Sequence, residues 1–350
     1  MHSTDKADLM LRSETYAGWT LPSIFPPEYV NSSTEIQNDY QALGARAVNH
    51  LANKLNFVLF NPNRPFFRLR VDDAYMQELE AKGLDSSTIE SVFSAKEQEA
   101  IGSMAKRRTR TSLVMLMKHL IITGNALLYT PEDKGNTQVY SLRDYVVKRS
   151  PDGTPLVVIT RDLKNKAQLP EDVQALITGK EDDEHVTLYT AVKLRDGKYE
   201  LSQEADSVTL SSSGSWTKDE LPWIPLTWNL LRGQHYGVGL VEEYAGAFNT
   251  VSILTESLVR AGVISADIKF LVDPAGATDY DALNNAASGE YVSGRVGDIG
   301  SLQLSKESDL AWVMNLLDAT ERNIAQAFLL NSAVTRDAER VNIMALYKLP

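Results

Sequence analysis

The chain has 350 residues, 43% hydrophobic and 23% charged, which is ordinary globular usage on a length that allows two or more domains. It contains no cysteine, so disulfides, thiolate metal sites and cysteine nucleophiles are excluded. A formal net charge of −11 and a pI near 5.1 weigh against a protein that grips DNA by neutralising phosphates, but not against a conduit through which DNA slides without sticking.

Met1 to Ser13 is polar and has no apolar core, so no signal peptide is expected. Residues 1–33 carry Pro22, Pro26 and Pro27 with little periodicity and read as an extended arm. From Thr34 to about Leu59 the spacing of Tyr40, Leu43, Ala47, Leu51 and Leu55 predicts a helix, stopped by Asn61-Pro62-Asn63-Arg64-Pro65. Phe66 to Val71 reads as a strand. Asp85-Ser86-Ser87 reads as a cap leading into a long helix around Ala95–Leu128. Its apolar part, Leu113 to Tyr129, is interrupted by Lys118, His119 and Asn125. It falls short of the roughly 20 apolar residues of a membrane span, so it reads as a buried helix with His119 a satisfied core or interface residue.

The middle is rich in predicted strands. Tyr145–Arg149 and Leu156–Arg161 flank Ser150-Pro151-Asp152-Gly153, and Val186–Leu194 and Tyr199–Gln203 flank Arg195-Asp196-Gly197-Lys198; both patterns are hairpin signals. Between them Pro170–Ile177 reads as a short helix closed by Gly179. Glu181 to Glu184 is read as a solvated loop. Two long helices follow, about Val238–Ala261 and Glu307–Leu330, marked by Val241, Tyr244, Phe248, Val251 and Leu258 and by Leu310, Val313, Leu317, Ile324 and Phe328. Such stripes suit helices packed side by side. The insert between them holds two strand-like runs, Ile268–Val272 and Glu290–Val296.

Catalytic signatures are missing. No glycine-rich lysine loop is present, and Gly237-Val238-Gly239 reads as a tight turn into a helix rather than a dinucleotide site. The histidines His2, His50, His119, His185 and His235 show no metal-ligand spacing. The carboxylate pairs Asp72-Asp73, Asp182-Asp183 and Glu242-Glu243 are adjacent in sequence and need no site. No catalytic residue, metal or cofactor is therefore expected. Lys106-Arg107-Arg108-Thr109-Arg110 is the single basic cluster, read as a solvated or subunit-interface face rather than a phosphate site. Trp216, Trp223 and Trp228 beside Pro222 and Pro225 read as a packed corner.

From the residues alone the fold class is α+β with two long packed helices. Several segments then resemble the head-to-tail connector (portal) proteins of short-tailed phages. Leu221-Pro-Trp-Ile-Pro-Leu-Thr-Trp228 and Gly233-Gln-His-Tyr-Gly-Val-Gly-Leu-Val-Glu-Glu243 look like the entry to that family's stem helix, and Leu271-Val-Asp-Pro-Ala-Gly276 like the segment after it. Asn323-Ile-Ala-Gln-Ala-Phe328 and Ser332-Ala-Val-Thr-Arg-Asp-Ala-Glu-Arg-Val341 resemble the second stem helix and its sequel. Asn49-His-Leu-Ala-Asn-Lys-Leu55, Arg64-Pro-Phe-Phe-Arg-Leu69 and Ser112 to Tyr129 resemble the wing. The matches run in family order from about residue 40 to 341.

Beyond the arm read at 1–33, the resemblance implies a wing at 34–234, a first stem helix at 235–262, a small α/β clip at 263–306, a second stem helix at 307–330 and a tunnel-loop and wing return at 331–350. The chain departs from the family after Val341, so the crown is expected to be absent. It further implies a structural, non-enzymatic ring, twelve-fold, at one capsid vertex of the virion, assembled in the host bacterial cytoplasm. The implied partners are double-stranded DNA passing without sequence specificity, the terminase large subunit, capsid and scaffolding proteins and tail adaptor proteins, with no membrane. In such a channel Lys269, Arg295 and Lys306 near the clip, and Arg336 and Arg340 at the tunnel loop, are the basic positions to watch against phosphate repulsion, each read as an interface or surface charge ahead of a DNA contact. Two other classes remain open: a virion adaptor with no DNA through its centre, and a metal-dependent enzyme with a dispersed acidic site.

Overall fold

The computed structural model describes residues 2–28, 34–61, 65–72, 76, 85–131, 135–169, 171–177, 179–211, 213–266, 269–295, 297–302 and 307–330. The N-terminus departs from the expected arm: α1 is a helix over His2–Gly18. Leu9, Ser13, Tyr16 and Ala17 recur at helical spacing and are buried, and all three prolines lie beyond its end. The next helix, α2, starts at Leu43 and runs to Leu59, nine residues later than the pattern from Thr34 suggested. The Gln41 amide sets that start: its Oε1 accepts from Gly44 N–H at 2.8 Å while its Nε2 donates to the Trp19 carbonyl at 2.5 Å. Leu43, Ala47, Val48, Leu51 and Ala52 form the buried stripe.

Residues 66–71 form no strand; the Leu69 N–H donates to the buried Glu97 carboxylate at 2.6 Å instead of to a ladder. The long helix expected around 95–128 is two helices and a strand: α3 Ser86–Lys106, α4 Thr109–Thr123 and β1 Asn125–Tyr129. Left-handed backbone makes both breaks, at Arg108 (φ 54°) and at Gly124 (φ 74°), where α4 ends.

β1 lies between β2 (Gln138–Tyr140) and β9 (Trp223–Thr227) in a three-stranded antiparallel sheet. A second antiparallel sheet runs in the order β3 (Tyr145–Arg149), β4 (Pro155–Asn165), β5 (His185–Arg195), β6 (Lys198–Ala205) and β7 (Val208–Leu210), with β8 (Ser215–Trp216) also on β6. Both expected hairpins are present. Asp196 and Gly197, at φ 47° and 82°, make the two-residue β5–β6 turn whose twist matches its strands. The helix α5, Glu171–Leu176, matches expectation and packs Val173 with Leu169, Ile177, Val186, Leu188 and Ala205.

The chain divides into two compact units. One holds the described residues up to Phe248 together with 324–330; the other spans Asn249–Asn323. The predicted first long helix is a short turn, α6 Leu240–Glu243, then α7 Ala245–Ala266, with Tyr244 out of helical register between them. In the second unit β10 (Lys269–Val272) pairs with β11 (Ile299–Leu302); the run 290–296 expected as a strand has no strand among its described residues. The Asp298 carboxylate anchors the loop before α8 (Tyr280–Asn285), accepting from Ala277 N–H, Thr278 N–H and the Thr278 hydroxyl at 2.8–3.1 Å. The last helix, α9, spans Glu307–Ala327. The fold class is α+β.

Candidate functional site

Residues 228–244 carry the chain from β9 into α6 and α7, and the sequence builds this junction from glycines. An added Cβ on Gly239 would lie 2.7 Å from Gly124 N, 2.8 Å from Ile122 O and 2.9 Å from Ile121 O. One on Gly237 would meet Thr227 Cβ at 2.8 Å and Asn229 O at 2.9 Å. Gly239 therefore serves backbone-on-backbone packing against the end of α4, and Gly237 the close approach of Thr227 and Asn229; neither has a positive φ, so close approach and not the expected tight turn excludes a side chain here.

Asn125, fully buried, fastens this contact. Its Oδ1 accepts from Gly237 N–H at 2.7 Å and its Nδ2 donates to Gly237 O and to Thr123 O, both at 2.8 Å. The Trp228 N–H donates to Gly124 O at 2.9 Å. Arg149, also buried, holds the other side of the loop: its guanidinium donates to His235 O, Gly153 O and Pro225 O at 3.2, 3.0 and 2.8 Å, and its backbone N–H donates to His235 Nδ1 at 3.1 Å. Burial lowers the Arg149 pKa, and burial raises those of Tyr145 and Tyr236. Arg12 pairs with Glu242 at the start of α6. Phe248 and Phe328 meet edge to face at 5.5 Å, and Tyr244 packs on Phe328 at 6.2 Å. These contacts hold the junction loop against α4, β3 and β9.

Neither Asn125 nor Arg149 was singled out from sequence as an anchor. A signal existed for Arg149: strand alternation puts it on the inward face of β3 with Tyr145 and Val147. Asn125 was visible only as a polar break in an apolar stretch. His119 is buried as expected but not satisfied, since its Nδ1 has no hydrogen-bond partner; burial lowers its pKa to about 4. Of the tryptophans, Trp216 and Trp223 pack edge to face at 5.4 Å, and Tyr129 stacks on Trp223 at 4.8 Å; Trp228 contributes its backbone to the junction.

The basic positions fall apart. Lys269 lies on β10 opposite Leu302. Arg295 is exposed, and its backbone is held by Thr278 and Asp298. Lys306, Arg336 and Arg340 lie outside the described residues. No three His, Asp or Glu residues among the described ones are grouped to hold a metal, and no described helix is long and apolar enough to cross a membrane.

Among its described residues the second unit buries little apolar surface. Val251 is the one fully buried apolar side chain among its described residues, while Ile253, Val259 and Val263 of α7 and Trp312, Met314 and Leu316 of α9 are exposed.

Residues 13–344 match the family model described as bacteriophage head to tail connecting protein. The chain is 34% identical to the portal protein of Escherichia phage T7 over 96% of its own length, and 32% identical to the portal protein of Pseudomonas phage phiKMV over 94%. It spans 65% and 66% of those two relatives. It is also similar to a chain in the neck of a native gene transfer agent particle, at 13% identity and a TM-score of 0.35, covering 65% of this chain and 57% of that one. The chain belongs to the bacteriophage head to tail connecting protein family.

Proposed function

We propose that the chain is a structural subunit of a portal ring at one capsid vertex, the conduit through which double-stranded DNA is packaged and ejected. The observation that carries this reading is the second unit. Among its described residues, between Asn249 and Asn323, two long helices leave six large apolar side chains in water. Neighbouring copies arranged head to tail around a closed ring would cover them, because a heterologous contact repeats until rotation closes it.

The reading assigns no catalysis. The long helices form the stem wall, 263–306 forms the clip that docks the terminase large subunit and then tail adaptors, and the larger unit forms the wing that faces capsid and scaffolding proteins. An acidic chain of net charge −11 lines a passage without holding DNA, and the basic positions Lys269, Arg295, Lys306, Arg336 and Arg340 act as sparse counter-charges. Light scattering and negative-stain imaging of the purified chain test the proposal. A closed ring of about twelve copies with a central hole supports it, as closed cyclic symmetry requires; a monomer at high protein concentration overturns it.

A further inference from the structure

The second unit holds a strand-like run without a partner and a sheet without a third strand. The sequence pattern marks 290–296 as a strand, yet its described part, up to Arg295, joins no sheet. The run is tied at both ends. At its start Glu290 N–H donates to Ala287 O at 3.0 Å, and the Glu290 carboxylate accepts from Ala287 N–H at 2.8 Å. At its end Arg295 N–H donates to the Thr278 hydroxyl at 2.8 Å, and Asp298 N–H donates to Arg295 O at 3.0 Å. Between these ties the main chain of Tyr291, Val292, Ser293 and Gly294 makes no hydrogen bond among the described residues. Tyr291, Ser293 and Gly294 are exposed and Val292 is half-buried.

The sheet is the β10–β11 ladder, with four residues in each strand. No third strand lies on either side of it among the described residues. In an antiparallel pair every second residue turns its N–H and C=O outwards, so both edges present main-chain groups to a further strand. A ladder of two such short strands is marginal in water, and a third strand is what gives such a sheet stability. The run of the same copy does not supply it. Thr278 holds that run instead: it binds Arg295 N–H, and a Cβ added to Gly294 would lie 2.6 Å from its hydroxyl.

We infer that Tyr291–Gly294 of one copy adds as a third strand to an open edge of the β10–β11 ladder of the next copy. This rests on the ring reading above. Each copy carries one unpaired run and one open ladder on different segments, so the contact is heterologous and repeats until the ring closes. That one-to-one supply makes a second copy, and not another protein, the occupant. Main-chain bonds provide the affinity of a strand addition, and the ties at Ala287 and Thr278 lower the cost of ordering the run. Tyr291 and Val292 are residue types that suit a strand.

Hydrogen exchange of the Tyr291–Gly294 amides is the first test. In assembled rings they should exchange at least about tenfold more slowly than in the same chain held as dissociated subunits, since no hydrogen bond within the subunit protects them. Crosslinking identifies the partner, and the absence of cysteine keeps it clean. Ser293→Cys is combined with Ser301→Cys on β11, or with Lys269→Cys on β10, in the full chain. Each double variant is treated with a bismaleimide spanning about 8 Å, the reach between residues of adjacent strands. A series of covalent multimers is expected from one of the two double variants, which names the edge, while each single variant stops at dimers. Slowed amides with crosslinks only inside single chains would show the run folding onto its own ladder and would overturn the inference. Rings that give no multimers from either pair overturn this contact and leave the ring reading standing. A wild-type chain that never assembles overturns both.

Discussion

Replacing Asn125 with alanine removes the fastening between the end of α4 and the junction loop. The Gly237 N–H and C=O, both paired to that one side chain, then face the interior without partners, and the bond to Thr123 O is lost as well. The site is fully buried, so water cannot replace the amide without an opening. Each orphaned buried peptide group costs about 1–3 kcal/mol, so the variant should lose about 2–5 kcal/mol. Asn125→Asp keeps an acceptor for the Gly237 N–H, loses the donor to Gly237 O and buries a charge, and should be at least as unstable. Urea unfolding followed by tryptophan fluorescence reads this well, because Trp223 sits on β9, the strand paired with that of Asn125. Protein concentration is held equal, since assembly adds concentration-dependent stability. A loss under about 0.5 kcal/mol, below the smallest net value of a single hydrogen bond, with unchanged exchange protection of the Gly237 amide, would refute the fastening role.

Four further outcomes follow from the same geometry. Gly239→Ala places a methyl against three backbone atoms and should cost about 3 kcal/mol or more, seen as a lowered urea midpoint or loss of soluble protein. Arg149→Met strands the carbonyls of His235, Gly153 and Pro225 and should cost about 3 kcal/mol at one or more per carbonyl, with faster proteolysis within 229–238. Leu329 occupies the left-handed position after α9 at φ 57°, where Leu330 N–H donates to Ala325 O and Leu329 N–H to Gln326 O; Leu329→Gly should raise stability by about 1 kcal/mol in thermal unfolding. His119 has a folded pKa near 4 against an ordinary value of 6.5. The unfolded chain therefore binds the extra proton first. The stabilisation is full above pH 6.5 and is lost as pH falls towards 4, by about 3 kcal/mol in all, and His119→Leu should flatten that slope of the unfolding free energy.

How much was legible beforehand depended on how local each cause is. The Asp196-Gly197 turn and its flanking strands were readable because the two residues that tolerate positive φ sit beside alternating side chains. The stripes of α7 and α9 were readable because helical period is written in spacing. The breaks at Arg108 and Gly124 were not. A helix pattern in 95–128 survives on paper, and only packing decides that Ala126–Leu128 bury as a strand between β2 and β9. The prolines of the first 33 residues hid α1 in the same way, because breakers from Pro22 onwards say nothing about a helix that ends at Gly18 and buries Leu9, Tyr16 and Ala17.

The family was also legible, since ordered matches over most of the chain survive small errors in any one element. The junction was not. Gly124, Asn125, Arg149 and Gly237 are scattered over more than a hundred positions, and their contacts are made only when α4, β3 and β9 come together. By itself the sequence determined what depends on neighbours in the chain: helix period, hairpin turns, the lack of thiols, the acidic balance. The tertiary structure decided what depends on distant partners: which glycines are crowded, which polar side chains are buried as anchors, and which apolar faces remain in water.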